Sequence, residues 1–259
     1  MRGCAGEEQV EVYTVLRVDG DRFFYVSEDG IDVPSEGHAY DPTHGRIAVE
    51  AVAHGMVALP GREALQDIVA PVTGDERITM YEATRTAAER LLATLRRFDE
   101  EPESAGRADS SRTPDERAKA QAVYSKKVVA LGDEALQRAY AASEAGLRLS
   151  DDHAGWLCAL LVLADVQERA WLTSQATPAQ RDLWADLTRR ATPALVAGPA
   201  TMLALTAYLG DDGAMANAAL SRVADADPNY PIARLLAAMI LGGATPDQLR
   251  QAIAEGLPC

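Results

Sequence analysis

His38, Asp41 and His44 fall close together in EGHAYDPTHG. Imidazole nitrogens and a carboxylate at such spacing are donor types that hold zinc, so this loop is the candidate metal site. Loops rich in Gly, Pro, Asp and His are also common without a metal, and no further ligand cluster follows. The chain has only four histidines, which leaves few groups for general acid–base work. His54 stands beside Gly55 at an expected helix end, and His153 follows Asp151 and Asp152 in an expected first turn.

The sequence has no G-x-S-x-G elbow, H-E-x-x-H pair, phosphate-cradling G-x-x-x-x-G-K or dinucleotide G-x-G-x-x-G. No catalytic residue and no cofactor is assigned on these grounds, and the reading leans away from an enzyme. Cys4, Cys158 and Cys259 are odd in number and widely spaced, which is neither a disulfide framework nor a zinc pattern and fits a reducing cytoplasm. Cys158 lies in an apolar helical run and reads as a small buried hydrophobe.

Charge and hydropathy narrow the partners. The formal net charge is −14. Nucleic-acid affinity rests on neutralising phosphates with Lys and Arg, so a nucleic-acid partner is not expected. The pairs Arg96-Arg97, Lys126-Lys127 and Arg189-Arg190 read as solvated residues near helix ends. MRGCAG leads into charged residues rather than an apolar segment. The most apolar run, Trp156 to Ala164, is far shorter than the roughly 20 residues a membrane span needs. A cytoplasmic protein without a membrane partner is the expectation. Apolar content is 47% and aromatic content 5%, so alanine-rich helices pack closely around few bulky wedges. Trp156, Trp171, Trp184, Tyr208 and Tyr230, at helical spacing, read as core.

The elements that position these residues begin with a hairpin over 10–27. Val10 to Val18 alternates, Asp19-Gly20 is a turn signal, and Arg22 to Ser27 returns with Phe23, Phe24 and Tyr25. An isolated hairpin is marginal in water, so its unpaired edge invites a homodimer. Phe23 and Tyr25 on the hairpin, with Arg62, are the candidate interaction residues. Helices are predicted over 43–54, 62–69 and 75–98. On the third, Ile78, Tyr81, Ala88, Leu91 and Leu95 make the apolar face, with Thr84 as its polar interruption. DEEPESAGRADSSR at 99–112 is polar and reads as a mobile linker. It divides an N-terminal α+β part, 1–98, from an all-helical domain, 113–259.

In the second part, Thr113-Pro114 with Glu116, Thr177-Pro178 with Gln180, and Thr245-Pro246 with Gln248 read as capping boxes. Helices are predicted over 118–131 and 134–147, broken at Gly132, and from Ser150 to about Leu172. Three short helices then follow from Thr201 to Leu241, with stops at Gly210 and Asp227-Pro228. The fold class is mainly α, with a short N-terminal β-hairpin, helices, and then a helical bundle.

Two resemblances follow from particular residues. Ala216, Leu220 and Pro228, with Leu203-Ala204, resemble the small, bulky and proline positions of a tetratricopeptide repeat. Ala200, Val223 and Ala207 depart from that pattern, and no second copy appears at a period of about 34 residues. LWADLTRR at 183–190 and the stretch 205–236, with LRVDGDRFFYV at 16–26 and VALPGREAL at 57–65, resemble the actinobacterial domain-of-unknown-function family 4192. That family carries no assigned activity. The resemblance implies a further segment before the hairpin and cysteines after it. Here YVSEDGIDVP stands in place of the cysteines, so no metal or redox role carries over.

The leading expectation is a non-enzymatic helical interaction or adaptor module with a protein partner. The alternative is an enzyme or a small-ligand or metal-binding protein. Its site would lie between the hairpin region and helices 44–98, with His38, Asp41, His44 and Arg62 as the residues involved. That site would be completed by the implied N-terminal segment.

Overall fold

The structure is a computed structural model that describes residues 16–19, 21–26, 32–39, 62–105, 107 and 109–255. Contacts group the chain into two units, Met1–Pro60 and Gly61–Cys259. The predicted helix over 43–54 and residues 10–15 of the predicted hairpin lie outside the described residues.

The first unit contains an antiparallel sheet of order β1-β2-β3: β1 Leu16–Asp19, β2 Arg22–Val26 and β3 Asp32–Ala39. The predicted hairpin is therefore extended by a third strand, and His38, expected in a loop, is a strand residue. Asp19 pairs with Arg22, so it belongs to the ladder rather than to the centre of the turn. The third strand lacks alternation because it bulges. Phe23 pairs with His38 and Tyr25 with Val33, so one residue of β2 faces several of β3. Pro34 falls where the ladder is interrupted, and a missing N–H costs least there. Gly37 has φ +67°, and a Cβ on it would come within 2.7 Å of the Phe24 ring. Phe24 is buried in that notch, with the Arg17 guanidinium 4.2 Å from its ring centroid. Arg22 Nη1 closes the bulge by donating to the carbonyls of Glu36 (2.5 Å) and Gly37 (3.0 Å).

The second unit holds ten helices among the described residues: α1 Arg62–Val69, α2 Gly74–Glu100, α3 Pro114–Glu144, α4 Asp151–Leu160, α5 Ala164–Thr173, α6 Pro178–Arg190, α7 Ala197–Leu209, α8 Gly213–Ala226, α9 Pro231–Leu241 and α10 Pro246–Glu255. Five of these helices start at short polar caps. Thr113 and Glu116 form a reciprocal capping box, as do Thr245 and Gln248. At α6 only half of the expected box forms: Thr177 accepts from the Gln180 N–H, while the Gln180 side chain turns to the Gln175 N–H at 2.8 Å. Ser150 and Asp212 cap α4 and α8.

α7 is the hub of this unit. Every residue from Ala197 to Leu209 except Tyr208 is buried. Thr201 and Thr206 are tolerated inside because their hydroxyls donate to the carbonyls of Ala197 (2.7 Å) and Met202 (2.9 Å). A helix that is apolar all round must be covered all round. Helices α5, α6, α8, α9 and α10 pack against it.

Close approach by small residues explains where the helices depart from expectation. Gly132 does not break α3, which runs unbroken for 31 residues. Instead it admits Val166 of α5, whose methyls would lie 2.9 Å from an added Cβ. The chain turns at Gly146 (φ +69°). The predicted helix from Ser150 to Leu172 is two helices, broken at Leu161–Leu163. Gln167 holds the break by donating to the Leu161 carbonyl at 2.5 Å.

α2 buries Met80, Ala83, Thr84, Ala87, Leu91 and Thr94. Gly155 of α4 sits on this stripe, and a Cβ there would meet Ala83 and Thr84 backbone atoms at 3.1 Å. The expected apolar face is thus rotated: Leu91 and Thr84 are buried, but Ile78 and Tyr81 are 59% and 63% exposed.

The expected boundary at 99–112 falls inside this packed unit. Ser104 is fully buried and donates to the Phe98 carbonyl, Lys127 reaches Glu101, and Arg107 lies 3.9 Å over Tyr124. The basic pairs differ from their expected role too. Lys126-Lys127 lie within α3, and Arg190, expected in solvent, is 2% exposed. Its Nη1 donates to the Leu149 carbonyl (3.0 Å) and Asp151 (2.9 Å), and its Nη2 to Asp186. Asp186 also accepts from Arg148, which bonds Glu76 of α2.

Candidate functional site

Of the residues singled out in the sequence, the sheet brings three together. Phe23 and Tyr25 are two apart on β2 and share a face, and the register sets His38 opposite Phe23. The Phe23 and His38 rings stack at 5.1 Å with a 29° tilt, and Tyr25 stands edge-on to both at 5.6 and 5.8 Å. Tyr25 is 47% exposed. The three rings form an edge-to-face aromatic cluster in which the His38 ring is committed to the stack with Phe23. Asp41 and His44 lie outside the described residues, as does the side chain of Arg62 at the start of α1. Among the described residues no group of three His, Cys, Asp or Glu side chains is set to hold a metal ion.

The helical unit gathers a polar cleft that sequence spacing did not show. Arg90 of α2, Glu134 and Arg138 of α3, and His153 and Trp156 of α4 line it. Arg138 Nη1 is 2.8 Å from His153 Nε2. A guanidinium only donates, so Nε2 accepts and the ring proton sits on Nδ1. Nδ1 in turn lies 3.0 Å from Ser150 Oγ, the oxygen that caps α4. Both ring nitrogens are thereby committed, and the imidazole has no lone pair left for a substrate proton. Arg90 lies 4.1 Å over the Trp156 ring. The enclosed volume is about 30 Å³, the room of a single water, so the cleft ties three helices together and does not admit a metabolite.

Cys158 is 1% exposed, and burial pushes its thiol up to about 12. A thiol so placed is neutral and unreactive near pH 7.

The third place is apolar. α9 reads PIARLLAAMIL, with Arg234 its one charge, yet only Ala233 and Leu236 are buried. Leu235 is 40% and Leu241 88% exposed. At its start, the Tyr230 hydroxyl accepts from the Gln167 side-chain amide, and burial pushes the phenol up to about 12. Ile232 and Tyr230 border a shallow groove floored by Trp171, Met202 and Leu161. The signal for this surface was present in the sequence. An 11-residue helix with one charge has more apolar positions than one packed face can cover. Among the described residues no helix is long and apolar enough to cross a membrane.

No curated protein and no solved structure matches the chain. The family model described as "Domain of unknown function (DUF4192)" matches residues 1–247, and a match of that extent means that the chain belongs to this family.

Proposed function

We propose that this DUF4192 protein is a non-enzymatic interaction module of the cytoplasm, and that it takes an apolar-faced helix or extended segment of a partner protein on α9. The observation that carries this reading is the mismatch on α9 between apolar composition and burial. Contiguous apolar surface that a fold leaves uncovered is typical of protein-binding sites. The helix pair α7–α8 carries the tetratricopeptide-like residues, but α7 is enclosed, so it has no open groove to offer. α9 is the next helix in the series and keeps its outer face.

The test places a photo-crosslinking residue at position 241 of the full chain and exposes it to lysate of the source cells. One reproducible adduct is expected. Leu235→Asp should abolish it while leaving the melting temperature unchanged within about 2 °C, because Leu235 is partly solvated already. An adduct that survives Leu235→Asp, or the absence of any specific adduct, would overturn the reading.

A further inference from the structure

The outward face of α2 carries large apolar side chains that the fold leaves uncovered. At 100° per residue, Ile78, Tyr81, Arg85, Ala88, Glu89 and Leu92 lie opposite the buried stripe of Met80, Ala83, Ala87, Leu91 and Thr94. Ile78, Tyr81 and Leu92 are 59%, 63% and 57% exposed. This is one stripe of bulky apolar groups on the solvent side of a 27-residue helix. Arg85, Ala88 and Glu89 are exposed as well. Arg85 and Glu89 are four apart, but no ion pair joins them or links either to another described residue. Arg preceding Glu is the poorer order for an intrahelical pair, so both heads remain open to an outside partner.

We infer that this face binds the same face of a second copy of the chain, with the two α2 helices antiparallel. A two-fold axis passing level with residue 87 sets Arg85 of one copy against Glu89 of the other, and Glu89 against Arg85. The same operation brings Tyr81 of one copy to within one residue of the level of Leu92 of the other, on both sides. Ala88, at the crossing, lets the backbones approach to the usual 8–10 Å of packed helices, about the reach of these side chains. A two-fold interface must be self-complementary in this way, since each contact occurs twice. The charge order Arg-then-Glu satisfies that condition only for antiparallel pairing; a parallel copy would set Arg against Arg. This surface is separate from α9, and its pairing does not depend on the partner proposed there. It is also separate from the sheet edge at which the sequence alone placed a homodimer.

The experiment is sedimentation equilibrium of the full chain and three variants. The wild type should sediment as a dimer of the 27.7 kDa chain. Arg85→Glu sets carboxylate against carboxylate at both symmetry-related contacts, and Glu89→Arg sets guanidinium against guanidinium there. Each alone should weaken the dimer by about a hundredfold, since two like-charge contacts replace two attractive ones. An equimolar mixture of the two variants restores opposite charges at both contacts of the mixed pair. In the antiparallel register the Arg85→Glu copy presents two carboxylates and the Glu89→Arg copy two guanidinium groups, so every contact in the mixed pair is again attractive and the mixture should return to dimer. Tyr81→Asp should remain monomeric in any mixture. All three sites are solvent-exposed, so circular dichroism should show unchanged folding. A monomeric wild type would overturn the inference, as would a dimer indifferent to both charge reversals, which would place pairing on another surface such as the sheet edge. Failure of the mixture to dimerise would refute the antiparallel register.

Discussion

Replacing Arg190 by methionine tests whether the buried charge cluster holds α2, α4 and α6 together. The side chain of Arg190 is 1% exposed, against 25% for Asp186 and 38% for Asp151. Methionine keeps much of the volume, so packing loss is secondary. What is removed is a donor that satisfies the Leu149 carbonyl and two carboxylates. Breaking a buried ion pair by deleting one partner costs about 3–5 kcal/mol. Asp151 can rehydrate through its exposed side and Asp186 retains Arg148, which favours the lower end, about 3 kcal/mol. For a unit of this size that corresponds to a fall in Tm of roughly 6–12 °C. Arg189→Met is the control: its side chain is exposed and should cost no more than about 0.5 kcal/mol. Removing the stranded acids as well, in Arg190→Met/Asp151→Asn/Asp186→Asn, should recover part of the loss, because uncompensated charge is the main penalty. Urea denaturation followed by circular dichroism gives the values. A loss below about 1 kcal/mol for Arg190→Met would refute the reasoning, as would a triple variant no more stable than the single one.

Two further outcomes follow from single groups. Burial raises the Cys158 thiol from its ordinary 9.0 to about 12 and the Tyr230 phenol from 10.0 to about 12. The unfolded chain therefore ionises first, and the stability both groups confer is fully present below about pH 9 and falls as pH rises toward 12. Cys158 contributes a slope of roughly 1.4 kcal/mol per unit in that window, so Cys158→Ala should decline less steeply than wild type in urea denaturation at rising pH, and equal slopes would count against the burial argument. In the sheet, Gly37→Ala must hold φ +67° and displace the Phe24 ring, so backbone amides of Arg22–Val26 should exchange hydrogen faster in the full chain; unchanged exchange would mean that Gly37 is not what seats Phe24.

What was legible in the sequence was local. Thr113, Ser150, Thr177, Asp212 and Thr245 announce helix starts because the oxygen and the N–H it satisfies are three residues apart. Phe23 and Tyr25 announce a shared face because strand alternation is local too. The rest depended on distant partners. Arg190 is inside because acceptors 39 and 41 residues earlier in the chain come to meet it. The buried face of α2 is its alanine and threonine side because Gly155 allows a backbone to lie against it, and nothing within α2 signals that. His38 joins the aromatic cluster only through the register across a bulge that Pro34 and Gly37 conceal as a loop. The break at Leu161–Leu163 carries neither glycine nor proline, and the side chain that fixes it, Gln167, lies in the following helix.

α7 and α9 show how composition and position combine into a functional signal. Both are almost wholly apolar, and both begin with the small or cyclic residues of helix starts. α7 is enclosed because its sequence neighbours α6 and α8 flank it and α5, α9 and α10 cover what remains. α9 is itself one of those covering helices, and it contributes Ala233 and Leu236 to the core while Leu235 and Leu241 stay outside. Helix stability does not require large apolar groups on an outer face, since charged helix formers serve as well there and keep the surface soluble. Leu235 and Leu241 on α9, and Ile78, Tyr81 and Leu92 on α2, are large apolar groups left on the outer face. On the two readings proposed above, a partner segment on α9 and a second copy of the chain on α2 would cover those five side chains, which is what the crosslinking and sedimentation experiments test.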